Sequence, residues 1–190
     1  NDSLVILGGS FNTTTYHYTN AYDGSMQLDP DGPSGAMSGS VINYTGLETI
    51  LNTSAVIDAI FQLPASAVDA VIEDDGIPAN ALTRLSSPSG SFEATTFTNP
   101  TGLLTINAGP NNDSIRFLSA DDGFAASVVA TGGPGDDSLL ATAFASPVML
   151  DGGVGNDALF GGAASDTLVG GGDNDTLLGG ADADSLVGGP

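Results

Sequence analysis

Aspartates recur at a fixed interval in the last third of the chain, where their carboxylates could bind a hard metal cation. Aligning the Gly-Gly pairs gives a nine-residue period that runs without a gap from Gly152 to Val187. The four units read GGVGNDALF, GGAASDTLV, GGGDNDTLL and GGADADSLV, and each has Asp at position six. Random acidic turns would not keep this register. The spacing therefore indicates a repeated cation site.

Two further units lie upstream of this array. GGPGDDSLL occupies Gly132–Leu140, and the degenerate unit AGPNNDSIR occupies Ala108–Arg116. All six units have Leu or Ile at position eight, and their position-six residues are Asp113, Asp137, Asp157, Asp166, Asp175 and Asp184. Oxygen ligands without nearby His, Cys or Lys favour Ca²⁺ over zinc or copper, and the stricter octahedron of Mg²⁺ makes it a weaker candidate.

The repeat also predicts how these aspartates are positioned. Glycines at positions one, two and often four permit a tight loop, after which three residues extend as a short strand. Such a strand should bury one apolar side chain per unit, worth roughly 1.5 to 3 kcal/mol each before ordering entropy is counted. These side chains are Leu159, Leu168, Leu177 and Leu186. No unit can fold alone, so alternate units should stack about 4.8 Å apart, with two units in each turn.

The units match the pattern GGxGxDxUx, in which U is a large apolar residue. Gly132–Pro190 therefore resembles the RTX calcium-binding repeats of secreted bacterial proteins. The resemblance implies a parallel β-roll whose loops bind calcium between stacked turns. It further implies that the ligands are position-six aspartates of two neighbouring loops together with main-chain carbonyls.

The same resemblance assigns pairs of aspartates to shared ions. Asp157 is expected to share ions with Asp175, and Asp166 with Asp184. Asp137 lies 20 rather than 18 residues before Asp157, so pairing these two requires a two-residue bulge within Ala141–Asp151.

Position four departs from the pattern in three units, which have Ala164, Asp173 and Asp182 in place of Gly. Asp tolerates a left-handed backbone better than Ala does. The loop Gly161–Asp166 is therefore the least favourable for an ion. Asp173 and Asp182 either add charge to their sites or accommodate the turn, and Asp113 belongs to the degenerate unit.

The charge balance excludes several classes of partner. The chain has 190 residues, 23 acidic side chains against 2 basic ones and a formal net charge of -21, so nucleic acid and anionic membrane surfaces are poor partners. No run of about 18 apolar residues occurs, which argues against membrane insertion. Hydrophobic residues make up 41% of the chain, alongside 27 Gly and 10 Pro, which indicates a core interrupted by many turns.

Short apolar stretches, rich in Val, Ile, Thr and Phe and broken by Gly, Pro or Asn, predict an all-β fold. Thr53–Phe61 could form a helix, but its alternating apolar residues favour a strand. The strand candidates before the regular array are Ser3–Leu7, Thr13–Thr19, Ser40–Tyr44, Ala55–Leu63, Ala67–Ile72, Ala81–Leu85, Ser91–Thr98, Leu103–Asn107, Ser114–Leu118 and Ala126–Ala130.

We interpret residues 1–107 as an irregular parallel β-helix, or β-solenoid, that continues into a calcium-binding β-roll at residues 108–190. A β-sandwich before Asn99 is the alternative. Val41–Glu48 and Phe97–Gly109 resemble segments of large, repetitive, secreted bacterial surface proteins that bear RTX units. That resemblance implies an extracellular location, on a bacterial cell surface or in a matrix.

No catalytic constellation stands out, so we do not expect an enzyme. His17 is the single histidine, and Lys, Cys and a G-x-S-x-G motif are absent from the sequence. Three other acidic turns, Asp74–Gly76, Asp121–Gly123 and Asp29–Gly32, are interpreted as solvated loops without a metal.

Three functions remain open. The first is a structural module of an extracellular surface layer, adhesin, fibre or matrix. The second is a calcium-folded secretion or stability domain of an exoenzyme, and the third is a carbohydrate-binding face. The chain stops at positions one to three of a new unit, Gly188–Pro190, and starts with Asn1–Val5, which reads as positions five to nine. We therefore expect uncapped ends and stacking on adjoining repeats or on copies of the chain, which would bury Leu4 and Leu186.

Overall fold

The computed structural model describes residues 2–30, 40–121 and 123–190, and those residues form strands, turns and loops only. The all-β prediction is confirmed. Asp31, Gly32 and Asp122, which belong to two of the acidic turns above, lie outside the described residues. The described part of the chain has no helix that is long and apolar enough to span a membrane.

Eighteen strands of the described residues form two sheets. Sheet A has the order β1-β5-β9-β8-β7-β11-β13-β15-β17, and sheet B has the order β18-β16-β14-β12-β10-β6-β2-β3-β4. The strand bounds are β1 Ser3–Ile6, β2 Ser10–Tyr18, β3 Gly24–Asp29, β4 Ser40–Tyr44, β5 Thr49–Asn52, β6 Ala55–Gln62, β7 Asp69–Asp74, β8 Leu82–Ser86, β9 Ala94–Thr98, β10 Leu103–Asn107, β11 Ser114–Phe117, β12 Ser127–Pro134, β13 Ser138–Leu140, β14 Val148–Val154, β15 Ala158–Phe160, β16 Thr167–Gly172, β17 Thr176–Leu178 and β18 Ser185–Val187.

From β10 onward the chain alternates between the two sheets, and from β12 onward every new strand pairs in parallel with the strand two places earlier. We call one passage through both sheets a circuit. The register fixes the length of each circuit, because Leu150 pairs with Leu168 and Leu159 with Leu177. Equivalent aspartates are 24, then 20, then 18 residues apart along the chain.

The amino-terminal half is less regular than the parallel arrangement expected for residues 1–107. β1, β5 and β9 pair in parallel, as do β2, β6 and β10. However, β3 pairs antiparallel with β2 and β4, and β8 pairs antiparallel with β7 and β9. Sheet B therefore ends on the antiparallel strand β4, so the uncapped parallel circuit expected at this end is wrong for that sheet.

Several strand predictions coincide with the structure, and some do not. Ser40–Tyr44 and Leu103–Asn107 are strands with the predicted bounds, and β6 shows that the Thr53–Phe61 region is extended. The strand predicted to begin at Ser91 begins at Ala94. β3 and β5 were not predicted, because both are short and alternate apolar residues with polar Ser, Gln, Thr or Asn.

The core is one hydrophobic cluster between the two sheets. In its aromatic part the rings of Phe61 in sheet B and Phe97 in sheet A lie 4.8 Å apart, and the hydroxyls of Tyr18 and Thr95 lie 2.6 Å apart across the sheets. In the regular repeats the core narrows to a row of leucines. Leu159 and Leu168 are fully buried, Leu177 is half-buried, and Leu186 is 48% exposed. The prediction that every unit buries its own leucine is therefore wrong for Leu186, because no strand of the described residues covers the outer side of β18.

Candidate metal centre

The position-six aspartates form a column along the first edge, which we define as the edge where strands of sheet B lead into strands of sheet A. Asp113, Asp137, Asp157 and Asp175 each lie immediately before a strand of sheet A. Oδ1 of each accepts a hydrogen bond from the main-chain amide of the residue one circuit earlier. Asp137 accepts from Asp113 at 2.7 Å, Asp157 from Asp137 at 2.8 Å and Asp175 from Asp157 at 3.0 Å.

The other carboxylate oxygen in this column is left without a donor. Within the described residues, Oδ2 of Asp137, Asp157 and Asp175 is buried and has no hydrogen-bond partner. A buried anionic oxygen without a partner is costly unless a cation or a proton compensates it. Burial raises the pKa of Asp137 to about 6 and also raises the pKa of Asp157, and neighbouring aspartates act in the same direction.

These unpaired oxygens converge with main-chain carbonyls at the position-one glycines. A Cβ on Gly152 would overlap Asp157 Oδ2 and lie 2.7 Å from the carbonyl oxygen of Gly170, which belongs to the next circuit. Two more glycines have the same surroundings. A Cβ on Gly132 would overlap Asp137 Oδ2 and approach the Gly152 carbonyl, and a Cβ on Gly170 would overlap Asp175 Oδ2 and approach the Gly188 carbonyl. Only a residue without a side chain leaves this space open. The space collects acceptor oxygens, which is the donor set that a hard cation requires.

The second edge, where strands of sheet A lead back into sheet B, differs at one loop. Asp184 Oδ1 accepts from the amide of Asp166 at 2.9 Å, so the column repeats here. However, Asp166 Oδ1 accepts from Val148 N at 2.9 Å and its Oδ2 accepts from Gly162 N at 2.7 Å. Both oxygens of Asp166 are thus satisfied within the protein. Asp113 is satisfied in the same way, because its Oδ2 accepts from Gly109 N at 3.1 Å.

The backbone conformation at position four of each unit explains part of the difference between the Asp166 loop and the other loops. Asp173 and Asp182 adopt left-handed backbones, with φ of 74° and 65°, as their place in the pattern requires. Ala164 does not adopt a positive φ, so its loop has another shape. The side chains of Asp173 and Asp182 are exposed.

A second ladder, at position five, runs beside the first-edge column and was not anticipated from the sequence. Asn112 Oδ1 accepts from Asp136 N at 3.1 Å, Asp136 Oδ1 from Asn156 N at 2.8 Å, and Asn156 Oδ1 from Asn174 N at 3.3 Å. The hydrogen bonds from the amide and side chain of Asn156 lower the pKa of Asp136. The signal was present in the sequence, since position five is Asn or Asp in these four units and Ser165 or Ala183 at the second edge.

The predicted aspartate pairs are adjacent. Asp157 contacts Asp175, Asp166 contacts Asp184, and Asp137 contacts Asp157 despite the longer spacing. Residues 141–147, which form a loop between β13 and β14, contain the extra residues. Among the described residues, no group of three or more His, Cys, Asp or Glu side chains is placed to hold a metal. The sharing of ions between these aspartates stays a prediction.

The surroundings predicted for acidic and histidine residues outside the repeats are correct at some positions and wrong at Asp121. His17 is exposed on β2, and Asp74 accepts the amide of Gly76 in a tight turn. Asp121 is not a solvated turn residue, which corrects the prediction. It is 3% exposed, and its two oxygens accept the amides of Ala79 and Ala81 at 2.8 and 2.5 Å.

Comparison with protein families agrees with this geometry. Residues 151–186 match the family model of the RTX calcium-binding nonapeptide repeat in four copies. This segment consists of RTX repeats, and RTX nonapeptide repeats bind calcium ions. Asp113 and Asp137 lie before the matched segment but belong to the same column as Asp157. Neither a search of curated proteins nor a search of solved structures found a match to the chain.

Proposed function

We propose that this chain is a calcium-stabilised structural module of an extracellular surface protein, fibre, adhesin or matrix. The observation that carries the proposal is the first-edge column, in which Oδ2 of Asp137, Asp157 and Asp175 has no donor among the described residues. A calcium ion between successive loops would supply the missing positive charge and would tie one circuit to the next.

The proposed calcium ligands differ between the two edges, because the aspartates there differ in how many of their oxygens are already hydrogen-bonded. Asp137, Asp157 and Asp175 are the principal carboxylates, with carbonyls such as those of Gly152, Gly170 and Gly188 beside them. Asp184 continues the second-edge column. Asp166 and Asp113 already have both oxygens hydrogen-bonded and contribute less, while the exposed Asp173 and Asp182 adjust the local charge.

We further propose that residues 1–107 and 108–190 form one continuous β-solenoid whose last part is a parallel β-roll. One hydrophobic cluster that runs from Tyr16 to Leu168 supports this proposal over a separate β-sandwich. RTX repeats typically occur in secreted bacterial proteins. Extracellular calcium modules bind with Kd of about 10⁻⁴ to 10⁻³ M, so the sites would fill outside the cell and stay empty in a cytosol.

End-to-end stacking is part of the proposal. Within the described residues, nothing pairs with the outer sides of β17 and β18, and Leu178, Leu186 and Val187 are 57%, 48% and 51% exposed. Open strand edges and apolar side chains are what a further circuit would cover. That circuit belongs either to adjoining repeats of a parent chain or to another copy.

The two other candidates differ in their support. A calcium-folded domain of an exoenzyme uses the same ion sites, and the sequence of the parent gene would distinguish it. A carbohydrate-binding face needs exposed aromatic rings. The described residues include all twelve aromatics, and among them only Tyr22, at 60% exposure, is largely exposed, while Phe11, Phe124 and Phe160 are half-buried. This burial argues against a sugar platform.

Calcium titration of chelator-treated protein tests the proposal. We expect circular dichroism to show strand formation on adding Ca²⁺, with a much weaker response to Mg²⁺, because close carboxylates repel until a cation separates them. Light scattering on the same samples should show growth of particles with calcium. An unchanged β signal in the chelated protein would contradict the calcium role, and a monomer at saturating calcium would contradict the stacking.

A further inference from the structure

A second set of acidic residues lines the first edge in the amino-terminal half. Asp2, Glu48 and Glu93 lie immediately before β1, β5 and β9, and the register Ser3↔Thr49↔Ala94 places them level with one another. The antiparallel pairing of β8 with β7 and β9 aligns Glu93 with Ala70, and Ala70 pairs with Ile115. Because Asp113 lies two residues before Ile115, Glu93 is two residues further into sheet A than Asp113. Its side chain therefore belongs to the inward-facing set of β9.

Glu93 is buried without a charged partner in the described structure, and its own main-chain amide is the group that acts to lower its pKa. It is 3% exposed, and neither of its carboxylate oxygens has a hydrogen-bond partner there. The hydroxyl of Tyr44, a residue that is 7% exposed, also lacks a partner within the described residues.

The register aligns Tyr18, Gly24 and Tyr44 on β2, β3 and β4, and the Tyr18 hydroxyl contacts Thr95, two residues after Glu93. Asp23 precedes Gly24, and its charge adds to burial in raising the pKa of Glu93. The Asp23 carboxylate already accepts hydrogen bonds from Gly46 N at 3.1 Å and from Asn20 Nδ2 at 2.9 Å.

No basic side chain is available to Glu93. The chain has two basic residues besides His17, and they are Arg84 and Arg116. Arg84 lies 3.9 Å from Glu73, and Arg116 is on β11, paired with Val71 and Leu140 on the opposite side of the strand from the buried Ile115. His17 is exposed. An ionised Glu93 thus has no counter-ion among the described residues.

We propose that Glu93 and the hydroxyl of Tyr44 bind a divalent cation of the calcium class, with a lesser contribution from Asp23, whose two oxygens are already hydrogen-bonded. This site lies outside the RTX repeats. Two carboxylates and a hydroxyl are oxygen ligands, as Ca²⁺ prefers, and main-chain carbonyls or water complete the set. Glu93 and Tyr44 are buried and Asp23 is half-buried, so a cation held between them would join β4 and the β2–β3 turn of sheet B to β9 of sheet A.

The competing occupant is a proton. Burial raises the pKa of Glu93 to about 7, with a smaller contribution from Asp23, so a neutral carboxyl is the state expected if no cation binds. The experiment must therefore separate a bound metal from a bound proton, and also separate this site from the repeat sites.

Tyrosine-sensitised terbium luminescence makes both separations on the full chain. All four tyrosines, Tyr16, Tyr18, Tyr22 and Tyr44, precede residue 45, and the chain has no Trp. Tb³⁺ at Glu93 would be excited through Tyr44 and Tyr18, whereas Tb³⁺ in the repeat loops would have no tyrosine nearby. We expect saturable emission after tyrosine excitation that added Ca²⁺ displaces.

Glu93→Gln should abolish this emission, while Glu73→Gln, the same change at an acid beside Arg84, should leave it intact. Asp157→Asn should reduce calcium binding measured by calorimetry without changing the tyrosine-sensitised signal, so failure at the repeats and failure at Glu93 are distinguishable. Circular dichroism of each variant checks that it is folded. Absence of sensitised emission from the parent protein, or equal emission from folded Glu93→Gln, would overturn the proposal and assign a proton to Glu93.

Discussion

Asp175 accepts the main-chain amide of Asp157 through Oδ1 at 3.0 Å, while Oδ2 of the same carboxylate is buried without a donor in the described structure. The two oxygens of one side chain thus have different roles. Oδ1 fixes the register between consecutive circuits, and Oδ2 leaves a negative charge that another species must neutralise. Under the proposed function, calcium-dependent and calcium-independent contacts share one residue.

Replacing Asp157 with Asn separates these roles. The amide keeps an acceptor for Asp137 N, but it removes the charge and places an NH₂ group near the Gly170 carbonyl. We expect the variant to bind roughly one calcium ion fewer, because hard cations require anionic oxygen ligands. In calcium-free buffer it should be more stable than the parent. Calorimetric calcium titration and thermal unfolding with and without calcium measure both effects.

Asp166→Asn is the matched control, since both oxygens of Asp166 already accept main-chain amides. It should change calcium stoichiometry less than Asp157→Asn and should destabilise the calcium-free protein. Equal calcium affinity in Asp157→Asn and the parent would contradict the assignment of the first edge as the principal ion site.

Gly152→Ala tests the space that the position-one glycines leave open. Its Cβ would overlap Asp157 Oδ2 and lie 2.7 Å from Gly170 O, so the loop must shift at a cost of about 1 to 3 kcal/mol. Gly188 also occupies position one, but nothing lies within 4 Å of a Cβ there. Gly188→Ala should therefore be nearly neutral. Thermal unfolding in calcium compares the two variants, and an equal effect would argue against this packing.

Asp121→Asn should destabilise the amino-terminal half. Asp121 holds the amides of Ala79 and Ala81, which adopt left-handed backbones with φ of 57° and 59°. Loss of the charge on a buried acceptor of two main-chain amides costs about 1.5 to 3 kcal/mol. Asp74→Asn, in an exposed turn, should cost much less. Urea unfolding gives both free energies, and a neutral Asp121→Asn would show that the Ala79–Ala81 turn needs no such support.

Acidification should stabilise the calcium-free protein. Burial raises the pKa of Asp137 from 3.8 to about 6, so the folded state binds a proton more tightly than the unfolded chain does. The stabilising contribution is complete below pH 3.8 and is lost as the pH rises through about 6. Thermal unfolding in calcium-free buffers across this range should show falling stability, with a shallower fall in Asp137→Asn. A rise in stability with pH in the parent would reject this explanation.

The regular part of the fold could be predicted from the sequence because the repeat itself determines the register of the strands. A nine-residue period with Asp at position six and a large apolar residue at position eight determines both the loop and the strand. It therefore predicted that Asp157 lies beside Asp175 and that Asp173 can replace a left-handed glycine. It failed for Leu186, whose burial depends on a neighbour and not on its own unit.

The amino-terminal half could not be predicted to the same degree, because its contacts join residues that are far apart in the chain without a repeat. Glu93 and Tyr44 are brought to one region by the cross-sheet contact of Tyr18 with Thr95 and by the antiparallel alignment of β2, β3 and β4. Asp121 reaches Ala79 across about 40 residues. Neither residue has a local pattern that distinguishes it from a solvated acid.

The circuits shorten along the chain, from a separation of 45 residues between Val68 and Asp113 to 24, 20 and finally 18. We call the part with long circuits the broad end and the part with 18-residue circuits the narrow end. The broad end contains stacked aromatic rings, whereas the narrow end has one leucine per unit and a high density of carboxylates. We therefore expect the broad end to be stabilised mainly by apolar packing and the narrow end mainly by bound calcium. When calcium is removed, the narrow end should unfold first. A protease added under those conditions should cleave the last circuits while the broad end stays folded and intact.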